Sequence, residues 1–389
     1  MTMHDGRPLC RILHTIDTTG PGGAETVFVA LATWPMGANV HNIVAITGSG
    51  WVQDELRRRG MNAHVLEVSG SFDIRYLYGL VRLIRKYQVD LIQSHLLGSN
   101  VYCSLAGMIC RVPVVSTFHG LVDYGSTERY LALKRLVLNQ GSSRCVFVSD
   151  ALREEIIERS GISRSRTVTI HNGIDVEAFA PDRKKILSQE LGLNDDAIIV
   201  GAVGNIRPSK DYATFLRAAA LLRGGNSRYH FVVIGDAGNA LSQQLLQLRG
   251  DLGLDDAVHF IGFRHDIATL LNSMDMFVLS SVSEGFSLAT VQAMACGVPV
   301  VVTRSGGPEE IVSDGVNGIL VDVQAESQLA EAIGRVTQDA GLRQTLVTNA
   351  LELVRARYTL DAMLAQYGAL YEELLGRSCG AVAGRRTAR

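Results

Sequence analysis

The feature that most constrains this chain is an alternation that occurs twice. Short β-branched runs alternate with longer amphipathic stretches, first from residue 11 to 148 and again from 198 to 321. In the first series Arg11–Asp17, His41–Thr47, Ala63–Val68, Asp90–Ser94, Val114–Phe118 and Cys145–Val148 read as strands. Ala24–Thr33 and Ile74–Tyr87 read as helices, the second with Leu77, Leu80, Leu83 and Ile84 on one face. The second series has strands at Ile198–Val203, Phe231–Gly235, Val258–Ile261, Met276–Ser280, Val298–Thr303 and Gly318–Val321. A helix starts near Tyr212, one helical stretch runs from Gln324 to about Tyr358, and a last helix covers Leu360–Leu375. Parallel strands cannot be joined by a tight turn, so apolar runs separated by helices imply parallel sheets covered on both faces. The polar segment Asp182–Ala197 interrupts the pattern. The expected architecture is α/β: two doubly wound, Rossmann-like domains facing across a cleft, at 8–181 and 182–358.

Composition narrows the class. Hydrophobic residues make up 47% and charged residues 20% of the 389, enough apolar surface to offset the entropy of ordering. Thirty-seven Lys+Arg against 39 Asp+Glu leaves −2, which argues against a dedicated nucleic-acid binder. No run of 18 apolar residues occurs, and the first residues, MTMHDGRPLCRIL, lack the apolar stretch of a signal peptide. The six cysteines (10, 103, 110, 145, 296, 379) form no Cys-x-x-Cys pair and read as reduced thiols. A cytoplasmic protein is expected.

Ligands of doubly wound sheets bind beyond the carboxyl ends of the strands, so the segments after strands carry the functional reading. After the first strand, Gly22 and Gly23 permit close backbone approach ahead of a helix, although the spacing is not Gly-x-Gly-x-x-Gly. A tight strand–helix connection explains them equally well. His95 and His119 follow two later strands and suggest one polar edge. In the second series Arg207 and Lys210 flank a helix start, with Ser209 or Asp211 as its cap. They suit a diphosphate, or are solvated surface charges. Glu284 sits on a turn, where its carboxylate can accept hydroxyls. Phe286, Ser287, Leu288 and Ala289 read as the opening turn of the next helix, with outward amides.

Together these segments resemble family 4 of the retaining, GT-B-type glycosyltransferases over about residues 8–375. The motifs are GPGGAE (20–25), STFHG (116–120), VSDALREEII (148–157), IHNGIDVEAFAP (170–181), GNIRPSK (204–210), EGFSLATVQAMACGVPVV (284–301) and SGGPEEIVSDGVNGILV (305–321). The resemblance implies a glycosyltransferase with an acceptor-binding first domain and a nucleotide-sugar-binding second domain. The last helix, 359–376, would pack back on the first. Gly22 and Gly23 would lie near the donor diphosphate and acceptor, and His119 would contact the transferred sugar. Arg207 and Lys210 would bind the diphosphate, Glu284 a sugar hydroxyl, and the amides of Phe286–Ala289 the sugar and phosphate. The family pairs two glutamates with seven residues between them. Here the second position is Gln292, whose carbonyl accepts with one oxygen where a carboxylate offers two.

The activity so implied is transfer from a nucleotide-diphosphate sugar, UDP-sugar before GDP-mannose, to an acceptor hydroxyl with retention. It needs no cofactor and no metal. Cell-surface polysaccharide, exopolysaccharide or lipopolysaccharide synthesis is the expected setting. A lipid-linked glycan acceptor would be met at the inner face of the cytoplasmic membrane, through a basic, leucine-rich face around Leu131–Leu138, unless that face is only solvated helix surface over a core. The alternatives are an epimerase or phosphorylase of the same fold, and a non-catalytic sugar-nucleotide or glycan-binding protein.

Overall fold

The computed structural model describes residues 3–4, 7–8, 10–36, 39–70, 72–121, 130–236, 238 and 240–376. The chain forms two compact units, Met1–Gly173 with Asp361–Arg389, and Ile174–Leu360.

Unit 1 has seven main strands: β1 (Cys10–Ile16), β2 (Val40–Ile46), β3 (Ala63–Val65), β4 (Leu91–His95), β5 (Val114–Phe118), β6 (Arg144–Phe147) and β7 (Thr167–Thr169). All pairings are parallel, in the order β3-β2-β1-β4-β5-β6-β7. The helices between them are α1 (Gly23–Ala32), α2 (Trp51–Arg58), α3 (Ile74–Tyr87), α4 (Leu97–Cys110), α5 (Leu131–Gly141) and α6 (Asp150–Ser160). Strand β2 shows why both faces are covered. Ile43 and Ala45 join a core with Leu80 and Ile84 of α3 and Ala106 of α4. Val44 and Ile46 join another with Phe28 and Val29 of α1 and Leu56 of α2. Asp73 caps α3 by accepting from the amide of Arg75 at 2.9 Å, and Ser149 caps α6 at Leu152.

Unit 2 contains α7 (Ile186–Glu190), β8 (Ile198–Val203), α8 (Tyr212–Gly225), β9 (Tyr229–Ile234), α9 (Ala240–Asp251), β10 (Val258–Phe260), α10 (Ile267–Leu271) and β11 (Met276–Leu279). It continues with α11 (Leu288–Ala295), β12 (Val300–Thr303), α12 (Pro308–Ile311), β13 (Ile319–Val321), α13 (Glu326–Gln338) and α14 (Ala340–Arg357). Its parallel sheet runs β10-β9-β8-β11-β12-β13. Phe215 of α8 and Phe231 of β9 are fully buried and meet edge to face at 5.7 Å. Burial of each ring stabilises the unit by roughly 1.5–3 kcal/mol. A last helix, α15 (Leu360–Leu375), belongs to unit 1 from Asp361 onward.

Four features differ from the sequence reading. The long helix from Gln324 is two helices, because Asp339 leaves helical geometry and caps α14, accepting from the amide of Leu342 at 2.9 Å. Unit 1 carries the extra strand β7, Thr-Val-Thr, whose single apolar residue and half-buried positions give no apolar run to read. The units part at 173/174 rather than 181/182. The intervening segment is bound to unit 2, where Asn272 accepts from the amide of Asp182 at 2.7 Å and donates to the carbonyl of Ala180 at 3.1 Å. Finally, Cys103, Cys110, Cys145 and Cys296 are free, but Cys10 is disulfide-bonded. Its partner is not among the described residues, and Cys379 and the rest of the basic tail after Gly376 lie outside them.

Among the described residues no helix is long and apolar enough to cross a membrane.

Close packing of two strand ends sets a sharp test of the unit 2 core. A Cβ on Gly235, just after β9, would lie 2.1 Å from the carbonyl oxygen of Gly204, just after β8. The obstacle is backbone and cannot rotate away. Gly235→Ala is expected to lower the unfolding free energy of unit 2 by about 2 kcal/mol. Gly224→Ala in α8, where a Cβ meets nothing within 4 Å, is expected to be neutral or stabilising. Urea unfolding compares the two, and equal midpoints would contradict the packing.

Candidate active site

In unit 2 the strand order reverses between β8 and β11, so the segments after these two neighbouring strands turn to opposite faces and leave a crevice at their carboxyl ends. The segment after β8 starts at Gly204, whose φ of +156° is a backbone conformation that residues with a side chain rarely adopt. It then forms a single 3₁₀ turn, Pro208–Lys210. Asp211 sits in the left-handed region and caps α8, accepting from the Thr214 hydroxyl at 2.7 Å. The segment after β11 is held to it by two hydrogen bonds. The amide of Val282 donates to the carbonyl of Ser209 at 2.8 Å, and the Ser280 hydroxyl to that of Lys210 at 2.9 Å.

The two chemical groups meet across this seam. Lys210 Nζ donates to Glu284 Oε1 at 2.5 Å, with side-chain exposures of 20% and 12%. The Ser281 hydroxyl donates to the same oxygen at 2.7 Å. Removed from bulk water and doubly bonded, the carboxylate is held in one place. Burial pushes the Tyr212 phenol well above its usual range, so it remains a hydroxyl and donates to the Gly204 carbonyl at 2.7 Å. Arg207 is exposed and has no ion-pair partner among the described residues.

The next helix begins later than the sequence suggests. Ser287 is in an extended conformation and is the cap of α11, its hydroxyl accepting from the Thr290 amide at 3.3 Å and the Thr290 hydroxyl at 2.7 Å. The first helical amides are therefore those of Leu288 and Ala289, which have no intrahelical acceptor. Phe286 lies before the helix, buried, with its ring edge-on to Tyr358 at 5.6 Å. Gln292, one turn after Leu288, is half-buried, and its side chain makes no hydrogen bond among the described residues.

In unit 1 the corresponding reversal lies between β1 and β4. Gly22 is the N-cap of α1 in fully extended backbone, and Gly23 is the first helical residue. A Cβ at position 22 would sit 2.3 Å from Glu25 Oε2, since Glu25 folds back to accept from the Thr18 hydroxyl at 2.7 Å. His95, the last residue of β4, and His119, just after β5, stack at 5.1 Å, with His95 Nδ1 2.9 Å from His119 Nε2. Burial lowers both: His95 well below the usual imidazole range, where neighbouring His119 and His14 act in the same direction, and His119 to about 3. Both rings are therefore neutral near pH 7.

The structure thus brings Lys210 and Glu284 into direct contact, Arg207 onto the same turn as Lys210, and His119 against His95. Two features escape sequence reasoning. Asp17, just after β1, accepts from the Ser99 amide of α4 at 2.9 Å, and burial raises its pKa to about 6. Leu96, between β4 and α4, adopts φ 71° and ψ 157°, a region nearly reserved for glycine. A single aspartate at a strand end and a single leucine carry no signal by type.

Residues 183–353 match the family model "Glycosyl transferases group 1", and residues 21–178 match "Glycosyltransferase Family 4". The D-inositol 3-phosphate glycosyltransferase of Stackebrandtia nassauensis is 31% identical over 304 residues, covering 72% of this chain and 68% of the relative. That of Mycolicibacterium smegmatis is 30% identical over 294 residues, covering 72% and 67%. Among solved structures, Anabaena HepE in complex with UDP-glucose superposes with a TM-score of 0.84 at 26% identity, over 93% of this chain and 99% of that one. The two family-model matches, the relatives at 30% identity or more and the superposition of the two parallel-sheet units make this chain a member of glycosyltransferase family 4 with the GT-B fold.

Proposed function

We propose that this glycosyltransferase takes a UDP-sugar as donor and transfers the sugar, with retention, to a hydroxyl of a cell-surface glycan under assembly. The observation that carries the donor reading is the Lys210–Glu284 pair at the strand-order reversal of unit 2, beside the uncommitted charge of Arg207. The complex of HepE with UDP-glucose favours UDP over GDP-mannose. Arg207 and Lys210 bind the diphosphate, the amides of Leu288 and Ala289 add donors, and Gln292 meets the ribose. Glu284 accepts a sugar hydroxyl, kept in place by Ser281 when Lys210 turns toward phosphate. His119 contacts the transferred sugar.

The barrier is loss of an anionic diphosphate from the anomeric carbon. The bond to that oxygen breaks with its electron pair, and fixed cations and amide dipoles stabilise the charge as it grows. The acceptor oxygen bonds the anomeric carbon on the same face, and its proton passes to the departing phosphate. The scheme uses side-chain and backbone charge alone and invokes no metal or cofactor.

The acceptor is proposed to be lipid-linked and met at the inner face of the cytoplasmic membrane. Ile74, Tyr78 and Arg82 form one exposed stripe of α3, and Leu133 and Leu136 are exposed on α5. Phe72 and Tyr130 pack together at 5.0 Å, both more than half exposed. Exposed aromatic and aliphatic side chains among arginines suit an anionic lipid surface.

Three results are expected. Arg207→Ala should leave stability within about 0.5 kcal/mol and weaken UDP binding about tenfold or more. Lys210→Ala should weaken binding similarly and also destabilise by about 2 kcal/mol, because Glu284 loses its counter-ion while mostly buried. Calorimetric titration with thermal unfolding separates the two, and unchanged affinity in both variants would remove the diphosphate site. Gln292→Ala should weaken UDP binding by about threefold to tenfold and Gln292→Glu should tighten it; identical affinities would exclude the ribose role. Turnover of UDP-glucose with membrane lipid extract should yield a product retaining the donor's anomeric configuration by proton NMR. An inverted linkage would overturn the mechanism, and tight UDP binding with no turnover on any extract would favour a non-catalytic sugar-nucleotide-binding protein.

A further inference from the structure

The histidine pair of unit 1 is the inner end of a longer polar chain. The Gln93 amide nitrogen lies 2.8 Å from Thr117 Oγ1, 3.1 Å from His95 Nε2 and 3.4 Å from the Ser94 carbonyl. Its carbonyl oxygen accepts from the Tyr371 hydroxyl of α15 at 3.0 Å. Gln93, His95, Thr117 and Tyr371 are essentially without solvent exposure. A peptide carbonyl can only accept, so the side of the amide facing Ser94 is its NH₂ group. That choice propagates. The amide donates to His95 Nε2, which must then be the unprotonated nitrogen. With one proton on a neutral ring, His95 carries it on Nδ1 and donates it to His119 Nε2 at 2.9 Å. His119 in turn must carry its own proton on Nδ1, the one ring nitrogen left for a ligand.

We propose that Gln93 and His95, keyed by Tyr371, are positioning residues that hold His119 in its Nδ1–H form. His119 then offers a hydrogen-bond donor, not an acceptor, to a sugar hydroxyl oxygen. The inference rests on the reading that His119 meets the transferred sugar, but the tautomer itself does not. The fixed donor selects sugars with an oxygen at that position and turns away those that bear only hydrogen there, since a buried N–H left unpaired is costly. The depressed basicity of both rings supports the neutral forms on which the relay depends.

Nitrogen-15 NMR of histidine-labelled full-length protein tests this without substrate. The wild type should show His119 with a protonated Nδ1 and a bare Nε2; the opposite pattern, or an imidazolium near pH 7, overturns the proposal whatever any variant does. Gln93→Met removes the keying donor and should move His119 to a mixture or to Nε2–H. UDP-glucose turnover should fall about tenfold, with affinity for UDP, which lacks the transferred sugar, unchanged. His95→Asn places an amide nitrogen where Nδ1 was, and should keep the His119 pattern and most turnover. His95→Leu should lose both. A folded Gln93→Met protein with the wild-type pattern and turnover refutes the relay. His119→Ala with full turnover would instead refute contact with the sugar, leaving the tautomer measurement intact.

Discussion

A parallel sheet whose strand order reverses near its middle sends the segments after two adjacent strands to opposite faces. Nothing then covers the carboxyl ends of those strands, and whatever residues follow them face one another over a short distance. Both units are built on this constraint, at β1/β4 and at β8/β11. It explains why Lys210 and Glu284, 74 residues apart, form an ion pair, and why Asp17 reaches the first turn of α4. Close backbone packing sharpens the effect. Gly235 has no room for a side chain against the carbonyl of Gly204, so the two strand ends of unit 2 lie in direct backbone contact.

The polar groups at these reversals divide into two kinds. In unit 2 they are charged and partly wet: Lys210 is tied to Glu284, while Arg207 is exposed with no partner of its own among the described residues. A free cation adds little to stability and can give its full interaction to an anion. A paired one must exchange one partner for another. In unit 1 the histidine pair and its partners are neutral and largely enclosed, and their order is set by hydrogen-bond direction instead of charge. Low dielectric makes each of those bonds expensive to leave unmade, so one amide orientation is transmitted through two rings.

The sequence made much of this legible. Alternating apolar runs located twelve of the thirteen strands in the two main sheets, and the exception, β7, is Thr-Val-Thr with one apolar residue. Helix continuity was harder to read. Asp339 lies in an otherwise helical stretch, and only its cap bond to Leu342 reveals the break. The helix start at Leu288 depends likewise on Ser287 bonding to Thr290. His95, His119, Arg207, Lys210 and Glu284 were readable as residues after strands. The links among them were not. Gln93 looks like one more strand residue, and Tyr371, 278 residues away, looks like core. Register and helix docking bring them together, and neither is written in local pattern.

The position of α15 bears on how the chain is made. Its tyrosines supply hydroxyl partners to Gln93 and Thr117 inside unit 1, yet they are synthesised after all of unit 2. A ribosome releases the amino-terminal portion first, and domains generally fold as they emerge. Here the first-born sheet must wait for the end of the chain, with Gln93 and the face around it open, while the intervening unit can close on its own residues. Unit 2 is therefore the first half able to reach its finished form during translation, and a chain cut short before α15 would leave the older half with a hole at its polar centre.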